Sequence, residues 1–235
     1  MVENMIEPQI IFEDNHVIVA VKPAGILSQA DGSDAPDILN ILKDYIKVKY
    51  EKPGNVYLGL LHRLDRNVEG IMVFAKTSKA ASRISEQIRK HEVNKRYRAI
   101  VNGTFKNKEG RMSYWLLKDK KNNVTSVFEK DPGRGDAKLS SLTYKVTGEA
   151  EYNGKKVSIT DIDLETGRSH QIRAFMSHEG HPLLGDFKYN DRTYKGDMCL
   201  QSYLIGFKHP ISGEYKEYTL PMKDEGPWGI FGGKA

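Results

Sequence analysis

The sequence predicts an α+β fold, a mixed and mainly antiparallel β-sheet with flanking helices. Three observations carry that expectation. Short apolar runs recur along the chain, bounded by Gly, Pro, Asn or Asp. Two of them are joined by Asn153-Gly154, a strong two-residue hairpin signal. Helical periodicity is confined to a few stretches, so hairpins dominate and a doubly wound parallel sheet is not expected.

Taken in order, residues 10–21 read as two short strands broken at Glu13-Asp14-Asn15. Lys22-Pro23-Ala24-Gly25 then forces a sharp turn, because Pro fixes φ and Gly permits positive φ. From Ile38 to Val48, Ile38, Leu39, Ile41, Leu42 and Tyr45 have the spacing of an amphipathic helix, with Asp37 as its N-cap. Lys52-Pro53-Gly54-Asn55 turns the chain into the run Val56 to Leu61. Ile71 to Ala75 reads as a buried strand, and Gly70 before it marks a turn or a close backbone approach. Thr77 or Ser78 caps a second helix that sets Ala80, Ala81, Ile84 and Ile88 on one face. Val93 to Val101 is a strand. Its alternation puts Lys95, Tyr97 and Ala99 on one face, Arg96 and Arg98 on the other.

Arg111 to Phe128 reads as a hairpin about Lys120-Lys121-Asn122-Asn123, followed by a loop from Asp131 to Asp136. Leu139 to Val146 and Lys156 to Leu164 form the pair joined by Asn153-Gly154. Ser169 to Glu179 is expected as a helix with Ser169 its N-cap, ended by Gly180-His181-Pro182. Ile172, Phe175 and Met176 face the core, and the i, i+3 pair His170 and Arg173 point together. Phe187 to Asp197 is a loop, and Met198 to Phe207 and Glu214 to Leu220 are the last strands. Residues 1–225 are expected to form a single domain. Gly226 to Ala235, with four glycines and Pro227, is expected as a loosely attached tail.

Composition narrows the classes. The chain has 235 residues, 39% hydrophobic and 29% charged, an ordinary balance for a folded protein with a sizeable core. Its longest apolar runs, such as Val17 to Val21, are far too short to span a bilayer. The opening MVENMIEPQ lacks the basic start and apolar core of a signal peptide. The single Cys199 suits a reducing compartment, so a cytoplasmic location is expected. Net charge is 36 − 31 = +5, but the cations cluster. Arg89, Lys90, Lys95, Arg96 and Arg98 are followed by Lys106, Lys108, Arg111, Lys118, Lys120 and Lys121. Such a cluster suits phosphate neutralisation, and a solvated charged surface explains it equally well.

The chemistry concentrates in Leu61 to Ala75, LHRLDRNVEGIMVFA. One carboxylate, Asp65, lies among His62, Arg63 and Arg66, between two apolar segments. Flanking guanidinium groups favour its ionised form, which suits a nucleophile or base. A structural ion pair would use the same residues. His170, His178 and His181, with Asp186 as the nearest carboxylate, do not make a convincing metal set, because Gly180 and Pro182 break the helix that would align them. No P-loop, G-x-G-x-x-G or G-x-S-x-G is present, and Cys199 has no basic neighbour in its strand.

HRLDR followed by a glycine and an apolar strand resembles the catalytic motif of the RluA-type RNA pseudouridine synthases. Three further blocks resemble that family in order: IIFEDNHVIVAVKPAG from Ile10, KRYRAIV from Lys95, and TGRSHQIRAFMSHEGHPLLGDFKY from Thr166. Phe207, His209 and Pro210 resemble its closing strand. Val68, Glu69 and Gln201 depart from the family's more frequent Thr, Ser and His, which bears on substrate choice. The likeness begins within the first dozen residues, so no preceding RNA-binding domain is expected.

The resemblance implies a pseudouridine synthase fold with a central RNA-binding cleft, and conversion of particular uridines in ribosomal or transfer RNA to pseudouridine. It implies Asp65 as the catalytic carboxylate, Arg173 as its partner, and Tyr97 as the ring packed against the target base. It implies that Arg63 fills the gap left by a flipped nucleotide. His62, Arg66, Lys95, Arg96, Arg168, His170 and Gln171 are further candidates for RNA contact. The reaction breaks a glycosidic bond and rejoins the same base through carbon. No water enters, so one carboxylate can serve where glycosidases commonly use two. No cofactor, metal or membrane is expected, and a monomer is the default. A non-catalytic RNA-binding protein would explain the basic clusters but not Asp65, Tyr97 and Arg173 together. A metal-dependent nuclease would require a site that the histidines do not supply.

Overall fold

The computed structural model describes residues 6–190 and 194–232. Its elements in chain order begin β1 (Ile10–Glu13), β2 (Val17–Lys22), α1 (Ile38–Lys49), β3 (Gly59–Leu60), β4 (Glu69–Ala75), α2 (Ser78–Arg89) and β5 (Asn94–Asn102). They continue β6 (Glu109–Asp119), β7 (Val124–Phe128), β8 (Lys138–Tyr152), β9 (Lys155–Leu164), α3 (Gln171–His178), β10 (Leu200–Lys208), β11 (Tyr215–Thr219) and α4 (Gly226–Gly229). The fold is α+β with mostly antiparallel pairing, as the hairpin pattern predicts. The chain divides into two compact units. One comprises residues up to Asn94 with Leu204–Leu220, the other Lys95–Tyr203 with the residues from Pro221 onward.

In the first unit β1 pairs with β2, β2 with β4, and β10 with β11, each antiparallel. β2 is buried along its whole length and β4 everywhere except Glu69. Burial on both faces is why these strands read as continuous apolar runs rather than alternating ones. Val17, Val19, Val21, Ile71 and Val73 share a core with Ile84 of α2 and with Ile205, Phe207 and Leu220. Both predicted caps form. Asp37 accepts from the Asn40 amide at 3.0 Å, and Thr77 Oγ1 from the Ala80 amide at 3.2 Å. The run Val56 to Leu61 yields only the two residues of β3, because Tyr57 faces solvent and the run lacks the two-sided burial of its neighbours. Gly70 marks no turn. It lies within β4, opposite Lys22.

The second unit is a meander in the order β5-β9-β8-β6-β7, every pair antiparallel. The turn between β8 and β9 places Asn153 at φ 51 and Gly154 at φ 75, the paired positive values that a type I′ turn requires. β8 is longer than expected and carries a bulge between Val146 and Gly148. The hairpin of β6 and β7 closes on residues 120–123 as predicted.

Two expectations are corrected in this unit. The helix starts at Gln171, not beside Ser169. His170 occupies the N-cap position in the left-handed region, φ 54 and ψ 20, with no side-chain cap bond. Ser169 is engaged elsewhere, its hydroxyl accepting from Lys118 Nζ at 2.9 Å. The tail from Gly226 is not loose at its start. Gly226–Gly229 form α4, and Trp228 packs with Ile100, Val157, Ile159 and Leu184. A large apolar ring gains more from burial than the glycine-rich backbone loses by ordering. Residues 233–235 of that tail lie outside the described residues.

Candidate active site

The loop carrying Asp65 is held by its backbone on both sides. Ser28 Oγ donates to Leu64 O at 2.8 Å and accepts from the Leu64 amide at 3.0 Å. On the other side Lys22 is fully buried. Its Nζ donates to Pro23 O at 2.9 Å, Ile26 O at 2.7 Å and Arg66 O at 3.0 Å. Gly25, at φ 84, adds its amide to Arg66 O at 2.9 Å and accepts from Arg66 Nε at 2.9 Å. The Lys-Pro-Ala-Gly turn is therefore a clamp on the residue after Asp65. Burial lowers the Lys22 pKa to about 8, against the opposing pull of Asp65 and Glu69.

Other members of the loop have distinct tasks. His62 Nε2 accepts from the Val73 amide at 3.2 Å, which ties the loop to β4. Arg63 and Arg66 are exposed, and Asp65 is half-buried. Val68 is buried and its amide closes the loop on Asp65 O at 3.0 Å, so this departure from the family's usual residue is a packing position. Gln201 is also buried, its amide donating to Pro221 O at 3.4 Å.

In the second unit, Tyr97 is 7% exposed and lies opposite Ile162 on the neighbouring strand. Lys95 shares its face of β5. Its ammonium sits against Gly167, whose Cβ, were there one, would be 3.7 Å away. Among the described residues Lys95 has no hydrogen-bond or ion-pair partner, and burial lowers its pKa. Arg96 is on the opposite face, as alternation requires, and pairs with Asp163 at 3.1 Å. Arg96 and Lys95 are therefore not brought together.

The segment from Thr166 is built around buried polar groups. Gln171, expected among RNA contacts, is 2% exposed. Its Oε1 accepts from Thr166 Oγ1 at 2.9 Å and the Arg168 amide at 3.1 Å, and its Nε2 donates to Ser141 O at 2.9 Å. That corrects its role, since an amide committed on both atoms shapes the loop rather than meeting a ligand. Arg168 stays exposed on the same loop. Arg173 is 7% exposed and makes a forked pair with Asp186, Nε to Oδ2 at 2.6 Å and Nη2 to Oδ1 at 2.7 Å. Its guanidinium lies 5.1 Å from the Tyr189 ring centre. His170 Nδ1 is hydrogen-bonded to the Tyr189 hydroxyl at 2.9 Å. Thus His170 and Arg173 do converge, on Tyr189.

In the sequence Lys22 stands in the Lys-Pro-Ala-Gly turn, and Asp186 and Tyr189 lie at the end of the block from Thr166 with no individual role assigned. A charged residue on each side of the Gly-His-Pro turn was the available signal for the Arg173–Asp186 pair. His178 lies edge-on to Tyr114, and His181 stacks on Phe105.

Comparison with known proteins defines the class. The RNA pseudouridylate synthase family matches residues 16–178. The ribosomal large subunit pseudouridine synthase D of Zymomonas mobilis is 33% identical over 229 residues, 92% of this chain and 70% of that protein. The dual-specificity RNA pseudouridine synthase RluA of Pasteurella multocida is 30% identical over 215 residues, 90% of this chain and 92% of that one. Among solved structures, human RNA pseudouridylate synthase domain containing 1 superposes with a TM-score of 0.75 at 20% identity, covering 93% of this chain and 85% of its own. The protein is an isomerase acting on RNA. It belongs to the RNA pseudouridylate synthase family and is of the RluA type. No helix among the described residues is long and apolar enough to cross a membrane.

Proposed function

We propose that the protein isomerises particular uridines of ribosomal or transfer RNA, with Asp65 as the catalytic carboxylate and no cofactor. The observation that carries this reading is the clamped loop. Residues 64 and 66 are each fixed by buried donors or acceptors, so Asp65 is presented on a rigid mount. A preorganised carboxylate needs no reorganisation as charge develops in the sugar and base. The C1′–N1 bond breaks, the uracil turns, and C5 joins C1′ with loss of its proton.

Arg173 orients Asp65, and Tyr97 packs against a uridine flipped from its strand. Arg63 occupies the space the nucleotide leaves. Arg66, Lys95, Arg168 and His170 supply RNA contacts, and His62 fixes the loop from behind. Lys95 supports this assignment most directly, because a half-buried ammonium without a counter-ion among the described residues is ready for a phosphate. The similar proteins D and RluA carry ribosomal and dual RNA specificity in their names, which motivates both substrate classes. The enzyme works in the cytoplasm as a monomer.

The test is incubation with bulk RNA from cells lacking the gene, followed by site-resolved pseudouridine mapping. The intact protein introduces new pseudouridines, and Asp65→Asn binds RNA and forms none. Full activity in that variant removes Asp65 from the mechanism. Stalling of the intact protein on RNA containing 5-fluorouridine separates the enzyme from a simple RNA binder.

A further inference from the structure

We propose that Tyr189 is a positioning residue for Arg173 and that it makes the β6–β7 hairpin part of the catalytic apparatus. The inference rests on the reading of Arg173 as the partner of Asp65. Arg173 is buried, and a buried guanidinium takes the orientation that its counter-ion and neighbours dictate. Asp186 fixes the Nε and Nη2 edge, and its own Oδ1 is fixed by the Lys188 amide at 3.1 Å. The Tyr189 ring lies against the guanidinium. That ring is held through its hydroxyl, which accepts from the Thr125 amide at 2.6 Å and is hydrogen-bonded to His170 Nδ1.

Thr125 belongs to β7, and the hairpin is fastened to the start of α3 at two further points. Thr125 Oγ1 donates to Ser169 O at 3.0 Å, and Lys118 Nζ to Ser169 Oγ at 2.9 Å. Lys188 Nζ also reaches Asn123 O at the hairpin turn, at 3.1 Å. The same strand pair carries Lys118, Lys120 and Lys121 near its turn. A cationic hairpin is thus linked to the arginine through the Tyr189 hydroxyl, which also meets the ring of left-handed His170, and through Lys188 and Asp186. Burial raises the pKa of that hydroxyl, so it stays protonated near neutral pH.

The reaction can be followed by tritium release from bulk RNA labelled at uridine C5, with enzyme in excess, giving a maximal rate and a half-saturating enzyme concentration. Tyr189→Phe keeps the ring and removes the hydroxyl. It should melt within a few degrees of wild type, reach half-saturation within about twofold of it, and lose roughly tenfold in maximal rate, the signature of misplacement rather than of weaker binding. The double variant with Arg173→Lys should be no slower than Arg173→Lys alone, because both act on one group. A wild-type maximal rate for Tyr189→Phe, or losses that multiply in the double variant, overturns the inference while leaving the role of Arg173 standing. A wild-type rate for Arg173→Lys instead overturns the reading beneath it. Asp186→Asn, where it folds, should show the same split between rate and half-saturation.

Discussion

The backbone on either side of Asp65 is fixed by side chains distant in the sequence, Ser28 on Leu64 and Lys22 on Arg66. Lys22 shows how little of this is local. In a string of letters it belongs to a turn, and nothing local says that its ammonium will be sealed among three carbonyls, one of them 44 residues away. Replacing it with methionine keeps the volume but removes the Nζ donor from Pro23 O and Ile26 O and leaves Arg66 O with the Gly25 amide alone. Lys22→Met should destabilise the fold by about 1–3 kcal/mol, since three part-buried carbonyls lose a charge-assisted hydrogen bond. Urea denaturation measures this. Turnover should fall further than the unfolded fraction accounts for, because Arg66 O adjoins Asp65.

At the level of elements, whatever depended on local chemistry could be read directly. The Asp37 and Thr77 caps and the Asn153-Gly154 turn are each fixed within a few residues of themselves. The start of α3 was misjudged because its rival is distant: Lys118, 51 residues away, takes the Ser169 hydroxyl. A second long-range junction is Glu13 at the end of β1. It accepts from Lys49 at 2.7 Å, Lys76 at 2.6 Å, Tyr45 at 3.1 Å and Tyr50 at 2.9 Å, joining α1 and the residue after β4. Burial alone would raise its pKa, but the bonds from Lys49, Lys76 and Tyr50 bring it down to about 2 from 4.5. A carboxylate depressed in the folded state contributes stability above its unfolded pKa and loses it as pH falls through the folded one. The contribution is thus complete above pH 4.5 and lost toward pH 2. It is worth at most about 3.5 kcal/mol, at ~1.4 kcal/mol per pK unit. Glu13→Gln should show that deficit in urea midpoints at pH 7, and about half of it near pH 3.

For the whole molecule, the basic clusters overstated the charge available to RNA. Across four strands of the second unit Arg98, Asp161, Lys145 and Glu109 stand opposite one another in register, a row of alternating sign. Arg96 pairs with Asp163, and Arg111 with Glu165. Cross-strand opposite charges stabilise a sheet face, and they also cancel one another's field. Which cations are neutralised depends on strand register, which composition does not contain. RNA affinity should therefore fall with salt less steeply than the count of lysines and arginines suggests. Substituting alanine at Lys120 and Lys121 should flatten the plot of log affinity against log salt by about 0.7 per residue for single-stranded RNA. Arg96→Ala should leave the slope unchanged.

The first unit is discontinuous in the chain, and this shapes its birth on the ribosome. β2 and β4 emerge early, apolar on both faces, yet Ile205, Phe207 and Leu220 complete their core only after more than a hundred further residues have been translated. Through that interval a sticky strand edge waits uncovered, while the second unit's β8–β9 hairpin can already close on its own turn. Synthesis thus lets a local hairpin made later close before the core around β2 and β4, made earlier, is complete.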